Sequence, residues 1–69
     1  MTLMLTVNGA ARRLNPAPAT VAELVRALEL EGKRIAVERN GEIVPKGRYA
    51  STGVGPDDRF EIVAAVGGG

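Results

Sequence analysis

Two Asn-Gly dipeptides, Asn8-Gly9 and Asn40-Gly41, each stand between short runs of strand-forming residues. A two-residue hairpin turn that matches strand twist needs φ > 0 at both central positions, and Asn and Gly tolerate this best. Ahead of the first turn, Leu3, Leu5 and Val7 alternate with Thr2, Met4 and Thr6, the period of a half-buried strand. Behind it Ala10-Ala11-Arg12-Arg13-Leu14 returns, with Arg12 and Arg13 as solvated charge near a sheet edge. The second turn joins Ile35-Ala36-Val37-Glu38-Arg39 to Glu42-Ile43-Val44, where Pro45 stops pairing because it has no N–H to donate. The chain is therefore predicted to hold two antiparallel hairpins.

A helix is predicted between them. Asn15-Pro16-Ala17-Pro18-Ala19 is a stiff connecting loop, and Thr20-Val21-Ala22-Glu23 has the capping-box pattern. Val21, Leu24, Val25 and Leu28 fall at i, i+3, i+4 and i+7, one apolar stripe on a helix of about eight to ten residues. Gly32 offers its C-terminal stop. Residues 46–58 read as irregular, with one short helical turn around Arg48-Tyr49-Ala50, Tyr49 capping the core, and Asp57-Asp58 turning into a last strand. That strand, Phe60-Glu61-Ile62-Val63-Ala64-Ala65-Val66, is a nearly continuous apolar run, which suits a central position better than an edge. Paired in parallel with the first strand, it gives a two-layer α+β fold: a mixed sheet of four to five strands packed on one main helix.

At 69 residues this is one small domain that has to hold on apolar packing, and 45% hydrophobic content makes that feasible. Cysteine and histidine are both absent. That removes disulfides, thiolate nucleophiles, the commonest general base and the commonest metal ligands, so no metal site is expected. No cluster of acid, base and nucleophile points to an enzyme. Nine basic and eight acidic residues are spread along the chain, and one Tyr and one Phe make no base-stacking platform, so nucleic acid is not an expected partner. The first residues lack the basic and apolar regions of a secretion signal, and no apolar run approaches the ~18 residues of a membrane span. A cytoplasmic protein without membrane attachment is expected.

The sequence given closes on Val66-Gly67-Gly68-Gly69. A body over residues 1–66 and a glycine tail over 67–69 is the expected organisation. Three residues past Val66 reach roughly 10 Å when extended, enough to enter a partner's cleft while the body stays outside. Without Cβ atoms such a tail is slender and lets another backbone approach closely.

The order of elements and the diglycine end resemble the β-grasp fold of ubiquitin-like proteins, and more closely the ThiS family of bacterial sulfur carriers in thiamine biosynthesis. Three stretches carry the resemblance: Thr20-Val21-Ala22-Glu23-Leu24, Ala36-Val37-Glu38-Arg39-Asn40-Gly41-Glu42-Ile43-Val44-Pro45, and the run from Asp58 through Phe60 and Val66 to Gly69. Where the family usually has Gly-Asp before the last strand, this chain has Asp57-Asp58. Aspartate tolerates left-handed φ better than most residues, so the turn survives at a cost of about 1 kcal/mol.

The resemblance implies a protein cosubstrate and not an enzyme. An adenylyltransferase of the E1-like ThiF type would use ATP and Mg²⁺ to adenylate the Gly69 carboxylate, with no cofactor bound by this chain. Sulfur from a persulfide donor would replace AMP, and the terminal thiocarboxylate would then serve thiazole synthase of the ThiG type. Gly69 and Gly68 would form the sulfur-carrying end, with Gly67 and Val66 threading the partner's active site. Docking would use the sheet face away from the helix, where parity places Met4 and Thr6, and where Val63 and Ala65 are candidates to lie beside them. A carrier serving molybdopterin synthesis or tRNA thiolation, and a protein modifier joined to lysines through Gly69, are the alternative readings.

Overall fold

The computed structural model describes residues 2–64. The expected tail at Gly67, Gly68 and Gly69, and Ala65 and Val66, expected to continue the last strand, lie outside the described residues.

Both Asn-Gly pairs turn as their chemistry requires, with φ of 52° and 82° at Asn8 and Gly9 and 52° and 90° at Asn40 and Gly41. The first turn joins β1 (Leu3–Val7) to β2 (Ala10–Leu14), and the second joins β3 (Ile35–Arg39) to β4 (Glu42–Val44). Between the hairpins lies helix α1 (Val21–Ala27), and after them a 3₁₀ turn over Lys46–Ser51 and the strand β5 (Arg59–Ala64). Among the described residues five strands form one sheet in the order β2-β1-β5-β3-β4. Strand β5 is central, parallel to β1 and antiparallel to β3, as its apolar composition predicts.

Alternation along the strands sends Leu3, Leu5, Val7, Val37, Val44, Phe60 and Ile62 to one face, where Val21, Leu24 and Val25 of α1 cover them. Phe60, Leu24, Val21 and Val37 are the largest fully buried side chains, so the centre of the core lies where β5 and β3 meet the helix. Arg12 and Arg13 are exposed on β2, an edge strand. Tyr49 is half-buried against the core, and that burial raises its phenol pKa above the ordinary value.

The helix starts as predicted but ends sooner. The Glu23 N–H donates to Thr20 Oγ1 at 3.2 Å, and Glu23 Oε1 accepts from the Ala19 N–H at 3.0 Å, one residue ahead of the usual capping-box partner. Only seven residues are helical, and Gly32 is not the stop. Glu29 takes the left-handed position at φ 61°, with its N–H donating to the Arg26 carbonyl at 3.0 Å and the Leu30 N–H to the Val25 carbonyl at 2.9 Å. Those two bonds are the Schellman pattern. Leu30 packs against the core just beyond the helix, so the chain reverses at Glu29 although a glycine stands three residues on.

Candidate functional site

The glycine run follows β5 in the sequence, so what holds β5 steadies the strand that leads toward it. On the β1 side the main chain supplies hydrogen bonds from the Thr6 N–H to the Asp58 carbonyl at 3.0 Å and from the Asn8 N–H to the Phe60 carbonyl at 2.8 Å. There the β1 backbone turns away into Gly9. The Asn8 side chain supplies the next pair: Oδ1 accepts from the Ile62 N–H at 2.7 Å and Nδ2 donates to the Ile62 carbonyl at 2.9 Å. A carboxamide has the same donor and acceptor as a peptide, so one side chain extends the ladder by a residue.

The other Asn-Gly turn grips the opposite end of the strand. Asn40 Oδ1 accepts from the Arg59 N–H at 2.9 Å, and its own N–H donates to the Arg59 carbonyl at 2.7 Å. Asn40 Nδ2 reaches Asp58 Oδ1 at 3.2 Å, while Asp58 Oδ2 accepts from Arg39 Nε at 3.0 Å and the Gly55 N–H at 2.8 Å. Burial of Asp58 pushes its carboxyl pKa up. The Gly55 N–H, the bonds from Asn40 and Arg39 and the Arg39 charge outweigh that and hold it below the usual carboxylate range. Asp57 adopts φ 65°, so it takes the left-handed position predicted for this turn.

On the outer sheet face, away from α1, Met4 and Val63 are exposed at 43% and 57%, and Thr6 is half-buried. Met4 and Thr6 share that face with Val63, but they do not adjoin it. Parallel register sets Thr6 against Arg59, four positions before Val63, a separation of roughly 13 Å along the strand. The neighbour of Val63 across β3 is Ala36. The exposed apolar residue nearer to it is Ile43 of β4, 63% exposed, in the row formed with Glu38 and Glu61. Ala65, Val66, Gly67, Gly68 and Gly69 lie outside the described residues.

Sequence reasoning passed over Ile43, although its alternation with buried Val44 marks it as outward-facing. The side chains of Asn8, Asn40 and Asp58 were also missed as contacts, having been read only as turn formers. Repetition of Asn-Gly ahead of two different strands was the available signal.

The sequence model of the ThiS family matches residues 5–69. The chain is 45% identical over 67 residues to a thiazole synthase of Paramagnetospirillum magneticum, covering 97% of itself and 20% of that protein. It thus spans a fifth of the length of that relative. It is 39% identical over 66 residues to the sulfur carrier protein ThiS of Bacillus subtilis, covering 96% of itself and 100% of the relative. The crystal structure of the thiamine biosynthesis protein ThiS from Geobacter metallireducens superposes with a TM-score of 0.83 at 33% identity, covering 97% of this chain and 100% of that one.

Proposed function

The chain belongs to the ThiS family and is a sulfur carrier protein of thiamine biosynthesis, a cosubstrate and not a catalyst, and we propose that the sulfur travels on the carbonyl carbon of Gly69. The observation that carries this reading is the family match running through residue 69, together with full-length likeness to a sulfur carrier.

A carboxylate is a poor acyl electrophile. A ThiF-type adenylyltransferase, using ATP and Mg²⁺, converts it to an acyl-adenylate with release of pyrophosphate. The terminal sulfur of a persulfide attacks the carbonyl and AMP departs. A thiol then cleaves the S–S bond, leaving the thiocarboxylate for thiazole synthase. Glycine suits this end because no Cβ crowds the attacked carbon. Gly67 and Gly68 keep the chain thin enough to thread a cleft, with Val66 at its mouth. The absence of cysteine leaves no thiol in the chain to intercept the activated acyl group.

The outer sheet face carrying Met4, Thr6 and Val63 is the docking face for the adenylating partner, with Ala65, outside the described residues, assigned to it from sequence parity alone. Its support is the exposure of Met4 and Val63 on a face that water would otherwise wet. No helix among the described residues is long and apolar enough to cross a membrane. With ATP-dependent partners, the cytoplasm is the proposed location.

The test is the intact mass of the protein taken from its own cells. A shift equal to exchanging one oxygen for sulfur, lost when Gly69 is deleted, is the expected result. An unmodified mass after incubation with the adenylating enzyme, ATP and a sulfur source sinks the reading.

A further inference from the structure

A cleft of about 450 Å³ opens between the turn after α1 and the ends of β1 and β5. Leu28, Leu30 and Ile35 are among the apolar residues that line it, and Arg12, Lys33 and Arg34 contribute three cations. No carboxylate of the described residues lines it. The ion pairs among the described residues are Arg26 with Glu31 and Arg39 with Asp58, so none of the three cations has a carboxylate partner there. A chain of net charge +1 thus gathers three of its nine cations at one opening.

The position of that opening gives the cations a role. Ile35 pairs with Ala64, the last described residue of β5, and both line the cleft. Arg12, Lys33 and Arg34 line the same cleft as Ala64, so a protein that takes hold of the chain beyond Ala64 brings its own surface toward them, and charges act through physiological salt over about 10 Å. A basic rim on that surface would be repelled, and an acidic one drawn in and oriented.

We propose that Arg12, Lys33 and Arg34 form an electrostatic docking ring at the described end of β5, and that its occupant is an acidic segment of thiazole synthase, the protein that in one relative contains a stretch 45% identical to this chain. This rests on the carrier reading above. Arg12 stands opposite the inward-facing Leu5 in the β1–β2 register, so it lies on the helix side of the sheet, while Val63 of the outer face borders the same cleft.

The experiment measures the affinity of the full chain for thiazole synthase at low and moderate salt. Wild type is expected to lose about tenfold between about 50 and 200 mM salt, as an interface steered by several charges does. The triple variant Arg12→Glu, Lys33→Glu, Arg34→Glu is expected to bind about 100-fold more weakly at low salt and to regain affinity as salt screens the repulsion, with the neutral Gln triple between them and nearly independent of salt. All three side chains are exposed, so the variants should fold. If the triple is destabilised, Arg12→Glu alone on the edge strand is expected to show a several-fold loss. A triple variant that folds normally and binds like wild type overturns the ring and leaves the carrier reading intact. A wild-type chain that does not bind the synthase overturns both.

Discussion

The Asn8 carboxamide is paired in both directions with the main chain of Ile62, accepting from its N–H at 2.7 Å and donating to its carbonyl at 2.9 Å. The two residues are 54 positions apart in sequence, so a hairpin turn near one end of the chain steadies the strand that carries the other. Ile62 is two residues from the last described residue, and among the described residues this is the last hydrogen-bonded grip on β5 from the β1 side.

Replacing Asn8 with Gly separates the two tasks of that residue. The turn survives, because Gly adopts positive φ freely. The two hydrogen bonds to a part-buried segment do not, and we expect a loss of about 1–3 kcal/mol in urea unfolding. The sharper measurement is amide exchange. The Ile62 N–H should lose protection more than the Phe60 N–H, and equal loss at both would mean the side chain only shapes the turn.

Asp58 predicts a pH dependence. Its carboxyl is held below the usual range in the folded protein, against about 3.9 for a free aspartate. A group of depressed folded pKa contributes stability that is fully present above the unfolded value and is lost as pH falls through the folded one. Wild type should therefore be the more stable protein at neutral pH, by about 2 kcal/mol over Asp58→Asn, since that change disturbs bonds from Arg39, Asn40 and Gly55 together. The gap should narrow on acidification below about pH 4, where Asp58 takes up its proton. A gap that stays constant down to pH 2 would show that shape, not charge, holds this turn together.

Glu29 predicts a gain. It occupies φ 61° after the last turn of α1, where a side chain costs about 1 kcal/mol that glycine avoids. Glu29→Gly should raise the thermal midpoint, corresponding to about 0.5–1 kcal/mol. Gly32→Ala should do the reverse by a similar amount, because φ 81° strains any L-residue although nothing lies within 4 Å to clash with the added methyl.

That pair of sites also shows what could be read in advance. Hairpins, strand faces and the central place of β5 follow from Asn-Gly chemistry and period-2 alternation, both local in sequence. The helix end was misplaced because a left-handed residue was sought at the nearest glycine, while packing of Leu30 on the core set the reversal at Glu29. The grips on β5 were not legible. Asn8 meets Ile62 across 54 positions and Asp58 meets Arg39 across 19, and no pattern in a window of a dozen residues contains either partnership. Of the candidate site, the outer face followed from parity, but its layout did not, because Thr6 pairs with Arg59 and leaves Val63 beside Ala36.

That layout sharpens the docking prediction. Val63 and Ile43 share the outer face nearer the end of β5, and Met4 lies farther along the sheet. A partner that grasps the tail is anchored beyond Ala64, so contact should weaken with distance from that point. Val63→Asp and Ile43→Asp change side chains 57% and 63% exposed, and stability should move by no more than about 0.5 kcal/mol in either. Binding to the adenylating enzyme should fall at least about tenfold for each, as expected when a charge is buried unpaired at an interface. Met4→Asp, 43% exposed, should cost less than either. Titration of each variant against the enzyme, with thermal melts alongside, measures both quantities. If Met4→Asp proves the most damaging, the partner lies across the β1 side of the face, and the gradient argued from the tail is wrong.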